Sequence, residues 1–167
     1  MKNFLLGTTA LAAMIAAGGA MAQTCTAAAG TINGTNNGQV LGPFDTCAQT
    51  NQLVTNCSAL NPIGAAQDAI FAVKVGPGAH SGSFFISTTT GSYDMYAGLM
   101  STACAAGSPC PLEADSNPAG GSETLGPIDG LANGDYWLLI TSFGAQCGSI
   151  SITVPTLPVA LQGFSVE

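Results

Sequence analysis

The chain is poor in positive charge. Its 167 residues include two lysines, no arginine and one histidine against nine acidic residues, and the formal net charge is −7. Proteins that bind nucleic acid or anionic membrane surfaces do so through clustered Lys and Arg side chains. The sequence therefore predicts that neither is a partner. An excess of acid on a weakly charged chain favours solubility or cation binding.

The chain also lacks helical periodicity and has few residues that could act as catalytic bases. Apolar residues alternate rather than recurring every three to four positions, and Gly and Pro interrupt the sequence at short intervals. His80 precedes Ser81, but neighbouring residues on an extended segment point to opposite faces. A hydrolytic triad needs the His ring to contact the Ser hydroxyl, with a carboxylate behind the ring. We therefore predict that the protein is not an enzyme.

A long apolar run occurs only at the amino end. Lys2 precedes the apolar, Ala-rich residues 4–19 and a small-residue cleavage site, Ala20-Met21-Ala22. This pattern predicts a signal peptide over residues 1–22, because the run has no charged stop and is short for a membrane span. Cys25 lies near the cut, but the residues before it match a lipoprotein signal poorly. We expect a product that is secreted, periplasmic or on the cell surface, without membrane insertion.

All six cysteines follow the predicted cleavage site. An even number of cysteines in a secreted chain indicates disulfides, although sequence alone cannot choose the pairing. The short spacings favour Cys47–Cys57 and Cys104–Cys110, which would leave Cys25 to pair with Cys147. Zinc is the rival interpretation, but the chain has no Cys-x-x-Cys motif and one histidine, so its cysteines do not match a zinc site.

The clearest strand prediction is Gly134–Thr141, where apolar residues occur on both alternating faces. A strand that is apolar on both faces needs cover on both sides, so we place it at the centre of a sheet. Alternation between turn residues predicts the other strands at 40–41, 69–75, 83–88, 93–100, 123–128, 149–154 and 159–166. Residues 104–121 are expected to form a loop, and a bulge at Gln162-Gly163 would restore the alternation of the last strand.

Seven or eight short strands separated by turns predict an all-β protein, an antiparallel β-sandwich stapled by disulfides. We expect one domain over residues 23–167, with the sandwich core over 67–167. Residues 23–66 show no clear pattern of their own.

Oxygen-bearing side chains alternate in the loop after Cys110, at Glu113, Asp115 and Asn117. Calcium prefers such oxygens together with loop carbonyls, and Asp94, at a predicted strand start, could converge with them. The glycine that an EF-hand loop requires is not at the matching place. Ordinary turn residues in solvent are the alternative interpretation, so calcium is the one cofactor that the sequence leaves open.

Aromatic residues supply a second candidate site. Extracellular sandwiches often bind glycans through exposed rings, and Tyr93 and Tyr96 are the candidate ligand-binding residues. Tyr136 and Trp137 are further candidates, but Trp137 lies on the predicted central strand, where core packing is the expected role.

Five segments together resemble the bacterial pre-peptidase C-terminal domain family. Residues 64–75 are similar to the family's Asp-led opening strand, 83–88 to the next strand, and 92–97 to a second Asp-led strand. Residues 130–140 resemble its Gly-x-Tyr-Tyr strand, and 148–154 its last core strand. The cysteines at 104, 110 and 147 are similar to those of a Cys-bearing subset. The resemblance implies a jelly-roll-like β-sandwich that serves as an accessory module beside a secreted hydrolase, with calcium bound in some members; here the module stands alone.

The sequence as a whole predicts a secreted, non-catalytic module that binds a surface, a glycan or a protein partner. A second hypothesis is a structural subunit of an extracellular matrix or filament, which self-associates through the bulged strand at 159–166. A small hydrolase is the third and least supported, because the chain offers so few catalytic groups.

Overall fold

The computed structural model describes residues 25, 29–53, 57, 66–101, 103–105 and 107–158 of the chain. The predicted signal peptide and the predicted strand at 159–166 lie outside the described residues. Within them are two short 3-10 helices, Gly34–Asn36 and Thr46–Ala48, and no helix long and apolar enough to span a membrane. The strands are β1 (Gly30–Ile32), β2 (Val40–Asp45), β3 (Ala69–Val75), β4 (Phe84–Thr88), β5 (Met95–Ser101), β6 (Leu112–Ala114), β7 (Glu123–Leu125), β8 (Gly134–Ser142) and β9 (Ser149–Thr153).

These strands form two sheets that enclose a common core. One sheet has five strands in the order β1-β3-β8-β5-β6, and the other has four in the order β2-β9-β4-β7. Neighbouring strands are antiparallel, except that β1 runs parallel to β3. The predicted all-β sandwich is confirmed, and β8 lies at the centre of the five-stranded sheet.

The main core lies between the two sheets and follows from the alternation of the strands. Tyr136, Leu138 and Ile140 of β8 are buried in it, together with Ile86 and Ile152 of the opposite sheet. Burying an aliphatic side chain of this size stabilises a fold by about 1.5–3 kcal/mol. The period of two in β4, β8 and β9 therefore fixes which face of each sheet turns inward.

A second apolar cluster covers the outer face of the five-stranded sheet. Its buried members are Leu53, Cys57, Ile70, Tyr96, Met100, Cys104 and Leu139, and Trp137 and Phe143 pack against it. This layer explains why β8 is apolar on both sides. Trp137 is thus a packing residue, as its place on a central strand predicted.

Residues 50–53, which lie in the poorly readable part of the sequence, contribute to this outer layer. The Gln52 and Leu53 amides both donate to Asp68 Oδ2 at 2.7 Å, and the Asp68 amide donates to the Thr50 carbonyl at 3.2 Å. Asp68 immediately precedes β3, so its carboxyl group fastens this segment to the sheet. A covering segment needs no alternation, which is why residues 50–53 show none.

The three disulfides are Cys25–Cys104, Cys47–Cys147 and Cys57–Cys110. The Cα atoms of each pair lie 5.3, 4.9 and 5.1 Å apart, within the normal range. All three pairings favoured by the spacing were wrong, because the fold brings cysteines together across 53 to 100 positions of sequence. None of the six is free to bind zinc, and three disulfides indicate an oxidising extracellular or periplasmic environment.

Two strands, β1 and β6, occur where the sequence predicted none. Both have three residues and lie at opposite edges of the five-stranded sheet. β6 falls inside residues 104–121, which were expected to be loop throughout. Three residues are too few to show an alternating pattern, so tertiary pairing defines these strands.

Candidate binding surface

The tyrosines predicted to bind a ligand are buried rather than exposed. Tyr93 is 0% and Tyr96 2% exposed, so neither ring faces solvent. Burial raises the pKa of Tyr93 to about 12 and also raises that of Tyr96, whose hydroxyl donates to Glu113 Oε2 at 3.0 Å. The expectation of exposed rings was wrong because strand parity does not tell which sheet face is covered. The layer that includes Leu53 and Cys57 covers Tyr96.

Tyr136 forms part of an open depression beside the start of β8. Its ring belongs to the main core, and its hydroxyl donates to the Ala132 carbonyl at 2.8 Å. The depression, about 530 Å³, is lined by Ser101 and residues 132–136. At its edge Asp135 forms an exposed ion pair with Lys74 at 3.1 Å. The structure thus gives Tyr136 a packing role, with its polar group already bonded.

The four predicted calcium ligands do not share one position. Glu113 is bonded to Tyr96, and the Asn117 side-chain amide donates to the Ser122 carbonyl. Partial removal from water, and then the charge of Asp94, raise the pKa of Asp115. The four residues therefore do not form one cluster of ligands.

Glu123 organises the loop in which calcium was predicted. This carboxylate is 1% exposed, and it accepts hydrogen bonds from the Ser116 amide at 3.0 Å and the Asn117 amide at 2.9 Å. A loop that surrounds a cation directs carbonyl oxygens inward, whereas this loop directs two N–H groups at a carboxylate. Within the described residues, no group of three or more His, Cys, Asp or Glu side chains is placed to hold a metal. Calcium binding stays a prediction.

The His80–Ser81 pair lies in the turn between β3 and β4. The His80 Nδ1 atom lies 3.2 Å from the Gly78 carbonyl oxygen, and Ser81 exchanges two backbone hydrogen bonds with Thr156. Among the described residues, His80 makes no hydrogen bond to a carboxylate or to the Ser81 hydroxyl. The arrangement is that of a turn histidine next to a β-bridge.

The feature that the sequence interpretation missed is the outer face of the four-stranded sheet. One residue from each strand of this sheet lies in register with the next, and the four form a row perpendicular to the strands. In the order β2, β9, β4 and β7, they are Val40, Thr153, Phe85 and Thr124. We call these four residues the cross-strand row. Val40 is 67% and Phe85 45% exposed, and they are the large hydrophobic side chains that the described part of the chain leaves exposed. The signal was present in the parity of β4, which directs Phe85 outward between Ser83 and Ser87.

Hydroxyl groups make up most of the remaining outer face. Ser151 and Ser87 face each other beside the cross-strand row. Among the described residues, no partner hydrogen-bonds their hydroxyls or those of Thr153 and Thr124. The one strand residue with a charge on this face is Asp45, at the far end of β2. This face therefore combines two exposed apolar groups with free hydroxyls and very little charge.

No protein-family model, curated protein sequence or solved structure matches the chain. The resemblance to pre-peptidase C-terminal domains is therefore untested, and the candidate surface is defined by its own geometry.

Proposed function

We propose that the protein is a secreted, non-catalytic binding module that engages its partner through the outer face of the four-stranded sheet. The observation that carries this proposal is the placement, in one row across the sheet, of Val40 and Phe85, the two large hydrophobic side chains that the described residues leave exposed. Exposed apolar groups cost free energy in water unless a partner covers them. A row that crosses four strands holds them rigidly in place.

Two further observations support the proposal. The three disulfides suit a protein that works outside the reducing cytoplasm. The side chains on the face carry no nucleophile–base pair within hydrogen-bond reach, since Val, Phe, Thr and Ser surround one another there without a histidine. Recognition is the chemistry that such a surface supplies.

The alternative, a filament subunit, needs an edge strand that can pair with a neighbour. Three edge strands of the described sandwich, β1, β6 and β7, are only three residues long. The fourth edge, β2, contains Pro43, which lacks a backbone donor. These features discourage pairing, and the terminal strand on which the hypothesis depends lies outside the described residues. We therefore favour the binding module.

The test is co-sedimentation of the oxidised full-length secreted protein with a panel of insoluble polysaccharides, cell-wall preparations and matrix proteins. We expect retention on at least one member, and a loss of retention when Val40→Ser and Phe85→Ser are combined. The control combines Thr31→Ser and Ala132→Ser, two exposed positions outside the four-stranded sheet, and it should bind as the parent protein does. Retention of the Val40/Phe85 variant at the parent level, or no retention of the parent on any member, overturns the proposal.

A further inference from the structure

We infer that the outer face of the four-stranded sheet binds a neutral polysaccharide chain, which lies across the strands along the cross-strand row. This inference rests on the proposed function and adds the chemical class of the ligand. It follows from three properties of the face: its very low charge, its alternation of apolar and hydroxyl groups, and the absence, among the described residues, of hydrogen-bond partners for those hydroxyls.

Charge selects against ionic ligands. The face has no lysine or arginine, and the whole chain carries a net charge of −7. An anionic polymer would be repelled by the protein and would find no cationic group to bind. A cationic polymer would be drawn to the acidic residues elsewhere rather than to this face, where Asp45 lies only at one end. The ligand that complements the face is uncharged.

The order of side chains in the cross-strand row matches the surface of a sugar polymer. Apolar Val40 and Phe85 alternate with the hydroxyl-bearing Thr153 and Thr124. Sugar rings present apolar C–H faces and hydroxyl edges in turn, so the aromatic face of Phe85 can cover the former and the Thr hydroxyls can bond the latter. Three interstrand spacings give the row a length of roughly 14 Å, enough for a short stretch of a polysaccharide.

The hydroxyls on this face are not used by the described fold, unlike two hydroxyls that bond the backbone nearby. Thr88, which has the inward parity of β4, donates its hydroxyl to the Ser149 carbonyl at 2.9 Å, and Thr46 donates to the Gly148 carbonyl at 3.0 Å. In contrast, Thr153, Thr124, Ser87 and Ser151 have no partner among the described residues. Their donors and acceptors remain available to a ligand without breaking any bond of the fold.

A protein partner fits the face less well. Stable protein interfaces bury roughly 800 Å² on each side around an apolar centre. Here the two apolar side chains are separated by β9, with Thr153 between them. Such spaced apolar groups suit a ligand with repeating apolar patches better than a single continuous apolar surface.

The experiment is isothermal titration of the oxidised protein with defined oligosaccharides. Cellohexaose, laminarihexaose and chitohexaose represent neutral chains; hexamers of galacturonic acid and of hyaluronan represent anionic chains. We expect at least one neutral hexasaccharide to bind and the anionic chains not to bind. Phe85→Leu should weaken binding roughly three- to tenfold and Phe85→Tyr should preserve it, because only tyrosine keeps the aromatic face.

A second pair of variants tests the hydroxyls. Thr153→Val keeps the shape and removes the hydroxyl, and it should weaken binding roughly two- to tenfold. Thr31→Val, the same change on the exposed part of β1 in the other sheet, should have no effect. Thermal unfolding of each variant checks that the fold is intact.

The possible failures are distinguishable. If the anionic hexamers or a matrix protein bind in a manner that depends on Phe85 while the neutral hexamers do not, the ligand class is wrong and the binding module survives. If neutral hexamers bind equally to the parent, Phe85→Leu and Thr153→Val proteins, the cross-strand row is not the binding site. If no neutral hexamer binds, the inference fails irrespective of the variants.

Discussion

Asp68 lies fully buried at the start of β3 and joins the sandwich to residues 50–53. Two backbone amides donate to its Oδ2 atom, whereas Oδ1 has no hydrogen-bond partner among the described residues. Burial raises the pKa of this carboxyl group, against the lowering effects of the hydrogen bonds from the Leu53 and Gln52 amides. Removal of the charged form from water is therefore the dominant effect on Asp68.

The raised pKa of Asp68 gives its contribution to stability a definite pH dependence. The folded state binds the proton more tightly than the unfolded chain, so this contribution is fully present below the unfolded pKa and is lost as the pH rises through the folded pKa. We expect the free energy of unfolding of the parent protein, relative to Asp68→Asn, to fall between pH 4 and pH 7. Urea denaturation of both proteins at several pH values measures the difference.

Asp68→Ala and Asp135→Asn are the controls for this experiment. The alanine removes the carboxylate that accepts hydrogen bonds from the Gln52 and Leu53 amides, and we expect a loss of about 1–3 kcal/mol for each of these buried bonds at every pH. Asp135→Asn removes an exposed carboxylate and tests the general effect of lost surface charge. A parent-to-asparagine difference that stays constant from pH 4 to pH 7 would show that burial does not dominate at Asp68.

At the scale of single residues, the sequence did not predict which side chains are exposed. Tyr93 and Tyr96 were predicted to be exposed ligand-binding rings, but both are buried, and the layer over the five-stranded sheet covers Tyr96. Phe85 gives no signal by itself, because a single apolar residue on a polar face is common and needs no explanation. Phe85 becomes a candidate binding residue because Val40 lies in the same row on the other side of β9. The sequence could not show this, because it does not give the register between distant strands.

The segment from β6 to β7 contains Glu113, Asp115 and Asn117, which the sequence predicted as calcium ligands. Glu123, at the start of β7, holds the turn through the Ser116 and Asn117 amides. In the same segment, the pKa of Asp115 is raised by removal from water and then by the charge of Asp94. A divalent cation between them would relieve that repulsion.

We predict that calcium raises the melting temperature of the protein above its value in the chelator EDTA. Binding to the folded state alone adds about 1.4 kcal/mol when free calcium is ten times Kd. Differential scanning calorimetry in calcium, and in magnesium at equal ionic strength, measures the effect. Asp115→Asn should abolish it, and Asp135→Asn should not. Equal melting temperatures in millimolar calcium and in EDTA would show that this segment holds no cation.

Elements with a strong period were predictable, and the short ones were not. Alternation located β4 and β9, and apolar runs bounded by turn residues located β3, β5 and β8, all to within about two residues. β1 and β6 exist because β3 and β5 offer them edges to pair with, a condition that arises only once the sheet has formed. Residues 50–53 are likewise defined by Asp68 and the apolar face that they cover.

The disulfides tie together the layers of the whole molecule, and each joins distant parts of the chain. Cys57–Cys110 and Cys25–Cys104 secure the apolar layer outside the five-stranded sheet. Cys47–Cys147 connects the 3-10 helix after β2 to the segment before β9, next to the bonds between Thr46 and Gly148. Sequence spacing failed to predict these pairs because a layered fold places the ends of its layers together, independent of their order along the chain.

Variants that each lack one disulfide should distinguish the bridge in the outer apolar layer, Cys57–Cys110, from the bridge beside the four-stranded sheet, Cys47–Cys147. Two double variants each remove one bridge. Cys47→Ala/Cys147→Ala opens a loop with a sequence separation of 100 residues, and Cys57→Ala/Cys110→Ala opens one of 53 residues. Chain entropy gives both a cost of about 4–5 kcal/mol, so denaturation alone does not distinguish them. The single tryptophan does, because Trp137 and Cys110 both pack against the outer cluster that contains Cys57.

We therefore expect native-state fluorescence of Trp137 to shift to the red in the Cys57/Cys110 variant and to stay unchanged in the Cys47/Cys147 variant. Loss of the outer layer admits water to the half-buried indole, whereas loss of the other bridge affects the sheet on the far side of the main core. Peptic digestion of the oxidised parent protein, followed by mass spectrometry, should recover the three cross-linked pairs. Recovery of Cys47 joined to Cys57, or an equal red shift in both variants, would contradict the layered arrangement from which the exposed cross-strand row follows.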